Sequence, residues 1–148
     1  MCCWCQKNAG EQALGRSRGG FSTKIHALCD SLGNPLRFIL TPGQRSDFLA
    51  ASELLRGYKP QAVLADKGYD ADYLIEQIQS QGAIAVIPSK KNRRQQRDYD
   101  SFLYKERNQV ERLFNKLKNF RRVATRYDKL DVAFLGFIYL AAIFLWLK

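Results

Sequence analysis

Two short apolar runs separated by a helical pattern constrain the fold of this chain more than any other feature. The runs are residues 62–65, followed by Asp66, and residues 83–87. Four or five apolar residues in a row have the length of a buried strand rather than of a helix. Between the runs, apolar residues recur at helical spacing, with Asp70 as the predicted N-cap and Gly82 where a helix-ending glycine belongs. Strands that alternate with helices predict an α/β layer structure.

A β-hairpin is predicted ahead of this unit. Residues 21–29 alternate between two sets of side chains, residues 36–40 form a second β-like run, and a turn cluster lies at residues 30–34. The hairpin would make the sheet mixed rather than wholly parallel. A short helix is predicted over residues 47–58 with Asp47 as its N-cap. Residues 1–20 show neither period and are predicted to be an irregular N-terminal segment.

The C-terminal third is predicted to be helical. Residues 89–97 are charged and lack an apolar period, which predicts an exposed loop, and a long helix should span residues 101–119. The stretch 132–147 has no charged residue, so it is either a buried helix or a membrane segment. At about 1.5 Å per residue it is somewhat short for a hydrocarbon core of about 30 Å. We therefore expect a buried helix and no membrane partner.

Composition narrows the class of partner and the compartment. The 148 residues include 24 Lys and Arg against 14 Asp and Glu, a net charge of +10, which favours an acidic polymer such as nucleic acid or an anionic membrane surface. No secretory signal is visible, so we expect a cytoplasmic protein. Disulfides are disfavoured by the crowding of three of the four cysteines, and zinc by the single histidine; free thiols are expected at Cys2, Cys3, Cys5 and Cys29.

Four polar residues of the predicted long helix share one face. Tyr104, Arg107, Glu111 and Lys118 are separated by three, four and seven residues, so they fall within about 60° of arc. One interpretation is a solvated face with an ordinary ion pair between Arg107 and Glu111. The other places Glu111 beside Asp66, because sites collect at strand ends of α/β sheets. Two carboxylates there would suit Mg²⁺ or Mn²⁺ better than zinc.

These motifs resemble the catalytic domain of DDE insertion-sequence transposases of the IS-four/IS-five superfamily. The main signature is the spacing of Tyr104, Arg107, Glu111 and Lys118. Residues 65–70 (ADKGYD) resemble the family's second-aspartate motif, and residues 15–35 are similar to its early hairpin. The resemblance implies a ribonuclease H-like fold over residues 21–148, a mixed sheet flanked by helices. It also implies DNA cleavage and strand transfer at transposon ends, with two Mg²⁺ or Mn²⁺ ions.

The resemblance also assigns roles to individual residues. Asp66 would be the second catalytic carboxylate and Glu111 the third, jointly holding the metal ions. Tyr104, Arg107 and Lys118 would contact or orient DNA near the cut. Two basic clusters beside this helix fit phosphate-backbone binding, although a merely solubilising loop is the alternative; they are Lys90, Lys91, Arg93, Arg94 and Arg97, and Arg121, Arg122 and Arg126. His26 is either a phosphate contact or a structural histidine of the hairpin.

One departure from the family pattern bears on activity. The first aspartate belongs on a strand upstream of the residues 15–20 loop, where this chain has MCCWCQKNAG and no acid until Glu11. The first strand is therefore predicted to be missing or non-native. Asp30 and Asp47 are the nearest substitutes, but a hairpin turn and a helix cap explain them better. A shared carboxylate helps to fix the separation of two ions at about 3.5–4 Å, so its loss should weaken metal binding and cleavage.

The chain is accordingly expected to be the C-terminal part of a transposase, inactive alone. Its expected partners are transposon-end and target DNA, copies of itself when complete, and an upstream-frame product joined to it by frameshifting. The alternative is a non-catalytic DNA-binding remnant or regulator.

Overall fold

The strands of this chain form two separate sheets. A computed structural model describes residues 13–17 and 20–147. Strands β1 (Gly15–Ser17), β2 (Gly20–Cys29) and β3 (Pro35–Pro42) are antiparallel in the order β1-β2-β3, and β4 (Ala62–Leu64) pairs in parallel with β5 (Ile84–Val86). The predicted α/β class is confirmed. The predicted single mixed sheet is not found, because no described segment bonds to both β2 and β4.

The predicted hairpin is present and its turn is held by one carboxylate. Asp30 Oδ1 accepts hydrogen bonds from the backbone N–H groups of Leu32 (2.9 Å) and Asn34 (2.8 Å). Gly33 has φ = +84°, a conformation that glycine adopts without strain. The prediction of an irregular segment up to Gly20 is wrong at β1, which pairs with the start of β2. A strand of three residues is too short to show a sequence period.

Six helices flank the sheets in the described part of the chain. They are α1 (Phe48–Leu55), α2 (Asp72–Ser80), α3 (Ser101–Tyr104), α4 (Asn108–Leu117), α5 (Arg121–Ala124) and α6 (Asp131–Trp146). The predicted long helix is therefore two helices, joined by the 3₁₀ turn Lys105–Arg107 and ending at Leu117 rather than Asn119. The basic stretch after it contains α5.

The boundaries of α1 and α2 differ from the prediction for identifiable reasons. Asp47 makes no side-chain cap bond to α1. The other end of α1 is closed by Arg37 of β3, whose Nη1 donates to the carbonyls of Glu53 (2.7 Å) and Arg56 (2.7 Å). Asp70 does not cap α2, because Ala71 occupies the N-cap position and Asp70 is buried elsewhere. Gly82 follows α2 with φ = +77°, as predicted.

The core consists of two apolar clusters. The first joins the hairpin to α4 and α6, and contains Phe38, Leu113, Leu117, Val123, Phe134, Ile138, Ala141 and Ala142. The second joins α1 and α2 to β5 and its flanks, and contains Ala51, Leu55, Leu74, Ile75, Ile78, Ala83 and Ile87. Ile25 and Ala27 of β2 pack against the first cluster, and Val63 of β4 packs against the second. Both clusters therefore border the region between β2 and β4.

Only one face of α6 is buried. Phe134, Ile138, Ala141 and Ala142 pack into the first cluster, whereas Leu140, Ile143 and Phe144 are exposed. The sequence predicted a buried helix because the stretch is apolar all round, and the exposed face departs from that prediction. Among the described residues, no helix is both long enough and apolar enough to cross a membrane.

Candidate metal and nucleic-acid site

Asp66 lies directly beyond the carboxyl end of β4, where the sequence places it. It is exposed, and its Oδ1 accepts a hydrogen bond from the backbone N–H of Gly68 at 2.8 Å. This bond caps the 3₁₀ turn Lys67–Tyr69 that follows. The turn holds the carboxylate at the strand end without burying it, so Asp66 is positioned and still open to a ligand.

A second carboxylate approaches Asp66 at Gly68. A Cβ on Gly68 would stand 2.9 Å from Asp66 Oδ1 and 3.1 Å from Asp47 Oδ2. Asp47 is held by Lys24, whose Nζ donates to Asp47 Oδ1 at 2.8 Å. Position 68 must therefore remain small, because two acidic side chains converge on it. Sequence reasoning assigned Asp47 to a helix cap and missed this approach.

The face predicted for the α3–α4 segment is present in its first three members. Arg107 Nη2 donates to Glu111 Oε1 at 2.7 Å, and the Arg107 guanidinium carbon lies 5.3 Å from the centre of the Tyr104 ring. The 3₁₀ turn explains the second contact, because side chains three residues apart eclipse in a 3₁₀ helix. Lys118 is exposed and has no side-chain hydrogen bond or ion pair with the residues that the structure describes.

Arg107 pairs with Glu111 and lines the same cavity as Asp66. The pKa of Arg107 is raised above its usual value: burial opposes the shift, and Glu111 (by hydrogen bond and charge) and Asp66 (by charge) favour it. Asp66 and Glu111 therefore act on the same guanidinium from opposite elements of the fold, a strand end and a helix. The sharing of a metal ion by Asp66 and Glu111 stays a prediction.

The donor set fits a divalent cation only in part. Asp66 and Glu111 offer the hard oxygen atoms that Mg²⁺ and Mn²⁺ prefer. Within residues 13–17 and 20–147, however, no group of three or more His, Cys, Asp or Glu residues is close enough to hold a metal ion. The residues present would thus supply two ligands, and Glu111 would have to give up its ion pair with Arg107 to bind an ion.

His26 is a buried structural residue at the edge of this site. Its Nδ1 hydrogen-bonds with Tyr69 Oη at 2.9 Å and its Nε2 with Thr41 Oγ1 at 2.8 Å. Burial lowers the pKa of His26 below 6.5, with Lys24 and Arg45 adding to the shift and Asp47 opposing it. Both ring nitrogens are engaged, so the structural interpretation of His26 applies and the phosphate-contact interpretation does not.

Because the pKa of His26 is lowered in the folded chain, we expect the fold to lose stability at mildly acidic pH. This pH range lies above the one in which carboxylates titrate. The unfolded chain binds a proton near pH 6.5, whereas the folded chain binds it only at lower pH. Stability should therefore be complete at pH 7.5 and fall as the pH drops below about 6.5. Urea unfolding midpoints of an untagged protein at pH 7.5 and 5.5 measure this difference. The variant His26→Gln should show a smaller difference; an equal one would contradict the assignment.

The basic loop after β5 is anchored to the second-aspartate motif by a buried carboxylate. The side chain of Asp70 is 3% exposed and accepts from Lys90 N at 2.8 Å and Arg97 Nη1 at 2.9 Å. Arg93 and Arg97 also pair with Asp72, which is exposed. The prediction of a uniformly exposed loop is therefore wrong at Arg93 and Arg97, because intramolecular carboxylates hold both guanidinium groups.

The remaining basic residues differ in how far their side chains are exposed and in whether they contact other side chains. Lys91, Arg94, Arg121 and Arg122 are exposed. Lys90 lies over the ring of Phe48 at 5.6 Å, and Arg122 lies over the ring of Phe137 at 4.6 Å. Arg126 pairs with Asp131 at 2.6 Å, and its side chain is 11% exposed, so it stabilises the start of α6. Cations thus border the Asp66 strand end and follow α4.

The cysteine prediction can be examined at one position. Cys29 is a free thiol, and burial, with the neighbouring charge of Asp30, raises its pKa to about 11. It is therefore an unreactive thiol at neutral pH. Cys2, Cys3 and Cys5 lie outside the described residues, as do Glu11 and the rest of the predicted non-native N-terminal stretch.

The fold and these contacts define an α/β protein. In it a strand-end aspartate and an arginine–glutamate ion pair lie close to exposed basic side chains. The comparisons with known proteins agree with this class. The transposase DDE domain family matches residues 5–146, and the chain belongs to that family. The family prediction made from the motifs is therefore confirmed.

Two relatives give the same result. The "Putative transposase for insertion sequence element IS6501" of Brucella ovis is 46% identical over 129 residues, which cover 86% of this chain and 99% of that protein. The "Putative transposase for insertion sequence element IS402" of Burkholderia cepacia is 30% identical over 138 residues. That match covers 85% of this chain and 62% of the length of the relative. No solved structure matches the chain.

Proposed function

We propose that this chain is the C-terminal part of the catalytic domain of a DDE transposase, with a ribonuclease H-like fold, that cuts DNA at transposon ends and joins the 3′-ends to target DNA. The observation that carries the proposal is that Asp66 lines the same cavity as Arg107, whose guanidinium pairs with Glu111 at 2.7 Å. Family membership and the names of both relatives support the same activity.

Each residue of the site has a role in this proposal. Asp66 and Glu111 hold Mg²⁺ or Mn²⁺, with two ions in the complete enzyme. When bound, such ions would supply the means to activate the nucleophile and to stabilise the leaving oxygen. Arg107, freed from Glu111, binds a phosphate near the cut, and Tyr104 keeps its guanidinium in place. Lys118 and the exposed cations of the two basic clusters bind the DNA backbone.

The proposal includes inactivity of the 148-residue chain alone. Two carboxylates among the described residues fall short of the three that the family uses, and the sequence has no acidic residue before Glu11. We expect the first carboxylate to come from a polypeptide joined to this chain from an upstream frame. The complete enzyme is expected to act as a homo-oligomer, since two transposon ends must be brought together.

A cleavage assay separates this function from its alternative. Labelled transposon-end DNA is incubated with Mg²⁺ and either the 148-residue chain or the upstream-joined polypeptide. If the joined polypeptide nicks the DNA and the 148-residue chain does not, the result supports a transposase that needs its first carboxylate. If both proteins bind the DNA and neither nicks it, the chain is a non-catalytic DNA-binding remnant or regulator. The observation that favours this alternative is that the described residues supply only part of a metal-binding set.

Binding of the DNA backbone should depend on the exposed cations of the basic loop. The double variant Lys91→Ala/Arg94→Ala removes two side chains that are exposed beside the anchored Arg93 and Arg97. Loss of two phosphate contacts should weaken binding of any duplex sequence and lower the salt slope by about 2. Fluorescence anisotropy from 50 to 200 mM salt measures both quantities.

The matched control for this experiment is Lys59→Ala. Lys59 is also exposed, but it precedes β4 and so lies at the opposite end of that strand from Asp66. Its loss should leave the salt slope unchanged. A fall in the salt slope of about 1 in the control, half that of the loop variant, would show that net charge, and not the loop, binds DNA.

A further inference from the structure

One side of α6 is left uncovered by the part of the chain that the structure describes. At about 100° per residue, its exposed residues fall within about 160° of arc, on the side away from the first core cluster. We call this surface the outer face of α6. It consists of Val132, Gly136, Tyr139, Leu140, Ile143, Phe144, Trp146 and Leu147. The outer face contains no charged residue, although the chain has a net charge of +10.

The outer face is large for the surface of a monomer. Val132 and Leu147 are 83% and 82% exposed, and Leu140 and Ile143 are 62% and 54% exposed. With its half-exposed aromatic residues the face amounts to on the order of 700 Å², against about 300–600 Å² for the largest apolar patch of a typical monomer. A specific dimer buries about 1,000 Å² or more in total, so about 500 Å² from each of two copies would be sufficient.

A cavity between α5 and α6 continues the outer face. It has a volume of about 330 Å³, and Leu140 and Phe144 of the outer face belong to its lining. Phe137 lies in the same lining, with the guanidinium carbon of Arg122 at 4.6 Å from the centre of its ring. The other lining residues are Phe120, Val123 and Ala141. Arg122 is therefore the single polar residue of a lining that fits an apolar side chain.

The outer face is complementary in shape to a second copy of itself. If two α6 helices run antiparallel and overlap along residues 132–147, Gly136 of one copy faces Ile143 of the other, and Val132 faces Leu147. Gly136 lies near the middle of the arc, and a Cβ there would have no described atom within 4 Å. It therefore forms a hollow that can receive a side chain. A parallel pair would set Gly136 against Gly136 and leave the hollow empty.

We propose that the outer face of α6 is a homodimer interface, in which the α6 helices of two copies pack antiparallel with Ile143 of each copy over Gly136 of the other. Such a contact is isologous, so each hollow is filled once. A face without charge lets two chains of net charge +10 meet without placing like charges in contact. The inference goes beyond the oligomer expected of the complete enzyme, because it assigns dimerisation to the 148-residue chain itself.

Sedimentation velocity of the 148-residue chain from about 1 to 200 μM tests the interface. We expect a monomer–dimer equilibrium with a Kd of about 1–10 μM, since an interface near the lower size limit binds weakly. Leu140→Glu should raise the Kd by about 100-fold, because the symmetry places the new charge in the interface twice. The matched control is Leu49→Glu, an exposed leucine of α1, which should leave the Kd unchanged.

The variant Gly136→Leu separates the interface from the stability of the fold. Leucine favours a helix more than glycine does, and the side chain has open space in the monomer, so urea unfolding at 1 μM should move to a higher midpoint. The same side chain fills the hollow that receives Ile143, so the Kd should rise by about 10-fold or more. A loss of dimer through misfolding would instead lower the unfolding midpoint.

A chain that stays monomeric at 200 μM would overturn the proposal, and so would a dimer that survives both Leu140→Glu and Gly136→Leu. Other occupants of the outer face give distinct results that also overturn it. A monomer that binds anionic lipid vesicles would identify a membrane surface as the occupant. A monomeric upstream-joined polypeptide with slow amide exchange at Leu140 would identify the upstream segment. Nicking by a polypeptide whose 148-residue chain does not dimerise would contradict this inference and leave the transposase proposal intact.

Discussion

Substituting Asp66 by Asn, or Glu111 by Gln, is expected to lower Mg²⁺-dependent nicking of transposon-end DNA by about 10³-fold in the upstream-joined polypeptide. Each change keeps the size of the side chain and removes one of the two anionic ligands proposed for the metal ions. A metal ion contributes several kcal/mol to phosphoryl transfer, and about 4 kcal/mol corresponds to 10³-fold in rate. Single-turnover cleavage of labelled DNA measures the loss.

The control for these variants is Glu76→Gln on α2, an exposed carboxylate outside the site. It should cleave at the rate of the parent polypeptide. Binding of the same DNA should remain within a few-fold for all three variants, since the basic residues are unchanged. Cleavage that survives both Asp66→Asn and Glu111→Gln would mean that other residues perform the chemistry.

Substituting Asp70 by Asn is expected to have the largest effect on stability among the polar residues of the site. The carboxylate is buried and accepts hydrogen bonds from Lys90 N and Arg97 Nη1, with Arg93 Nη1 at 3.7 Å. Neutralising it would leave two partly buried guanidinium groups without that partner, at a cost of about 2–3 kcal/mol. Urea unfolding measures the change in the free energy of unfolding.

The same substitution should free the basic loop from the body of the protein. Limited trypsin digestion should then cut among residues 90–97 faster than in the parent chain, because the loop is no longer anchored and the protease can reach it. Asp98→Asn is the matched control. This carboxylate lies in the same loop and is exposed, so its loss should change neither stability nor the cleavage rate. Equal digestion of the two variants would contradict an anchoring role for Asp70.

The sequence predicted the elements that depend on local pattern. The apolar runs, the hairpin turn at Asp30 and the glycine after α2 were all found where their periodicity or turn chemistry placed them. The ion pair between Arg107 and Glu111 was also predictable, since residues four apart on a helix are neighbours.

Features that depend on tertiary contacts could not be predicted in the same way. Asp47 and Asp70 both precede helices and were interpreted as caps, but each carboxylate binds a cation from a distant segment instead. Nothing in the spacing of Asp70 and Arg97, 27 residues apart, indicates that they meet. The sequence also did not reveal that the described strands form two sheets. Strand pairing depends on tertiary contacts, and the pattern of residues within one strand does not identify its neighbours.

The measurement that tests the central claim most directly is a Mn²⁺ titration of the 148-residue chain followed by nuclear magnetic resonance. If Asp66 and Glu111 share an ion, paramagnetic broadening should reach the amides of Gly68, beside Asp66, and Arg112, beside Glu111, at the same low-affinity Mn²⁺ concentration. Either Asp66→Asn or Glu111→Gln should abolish broadening at both amides. Broadening of one amide alone, or at both in either variant, would contradict a shared metal site.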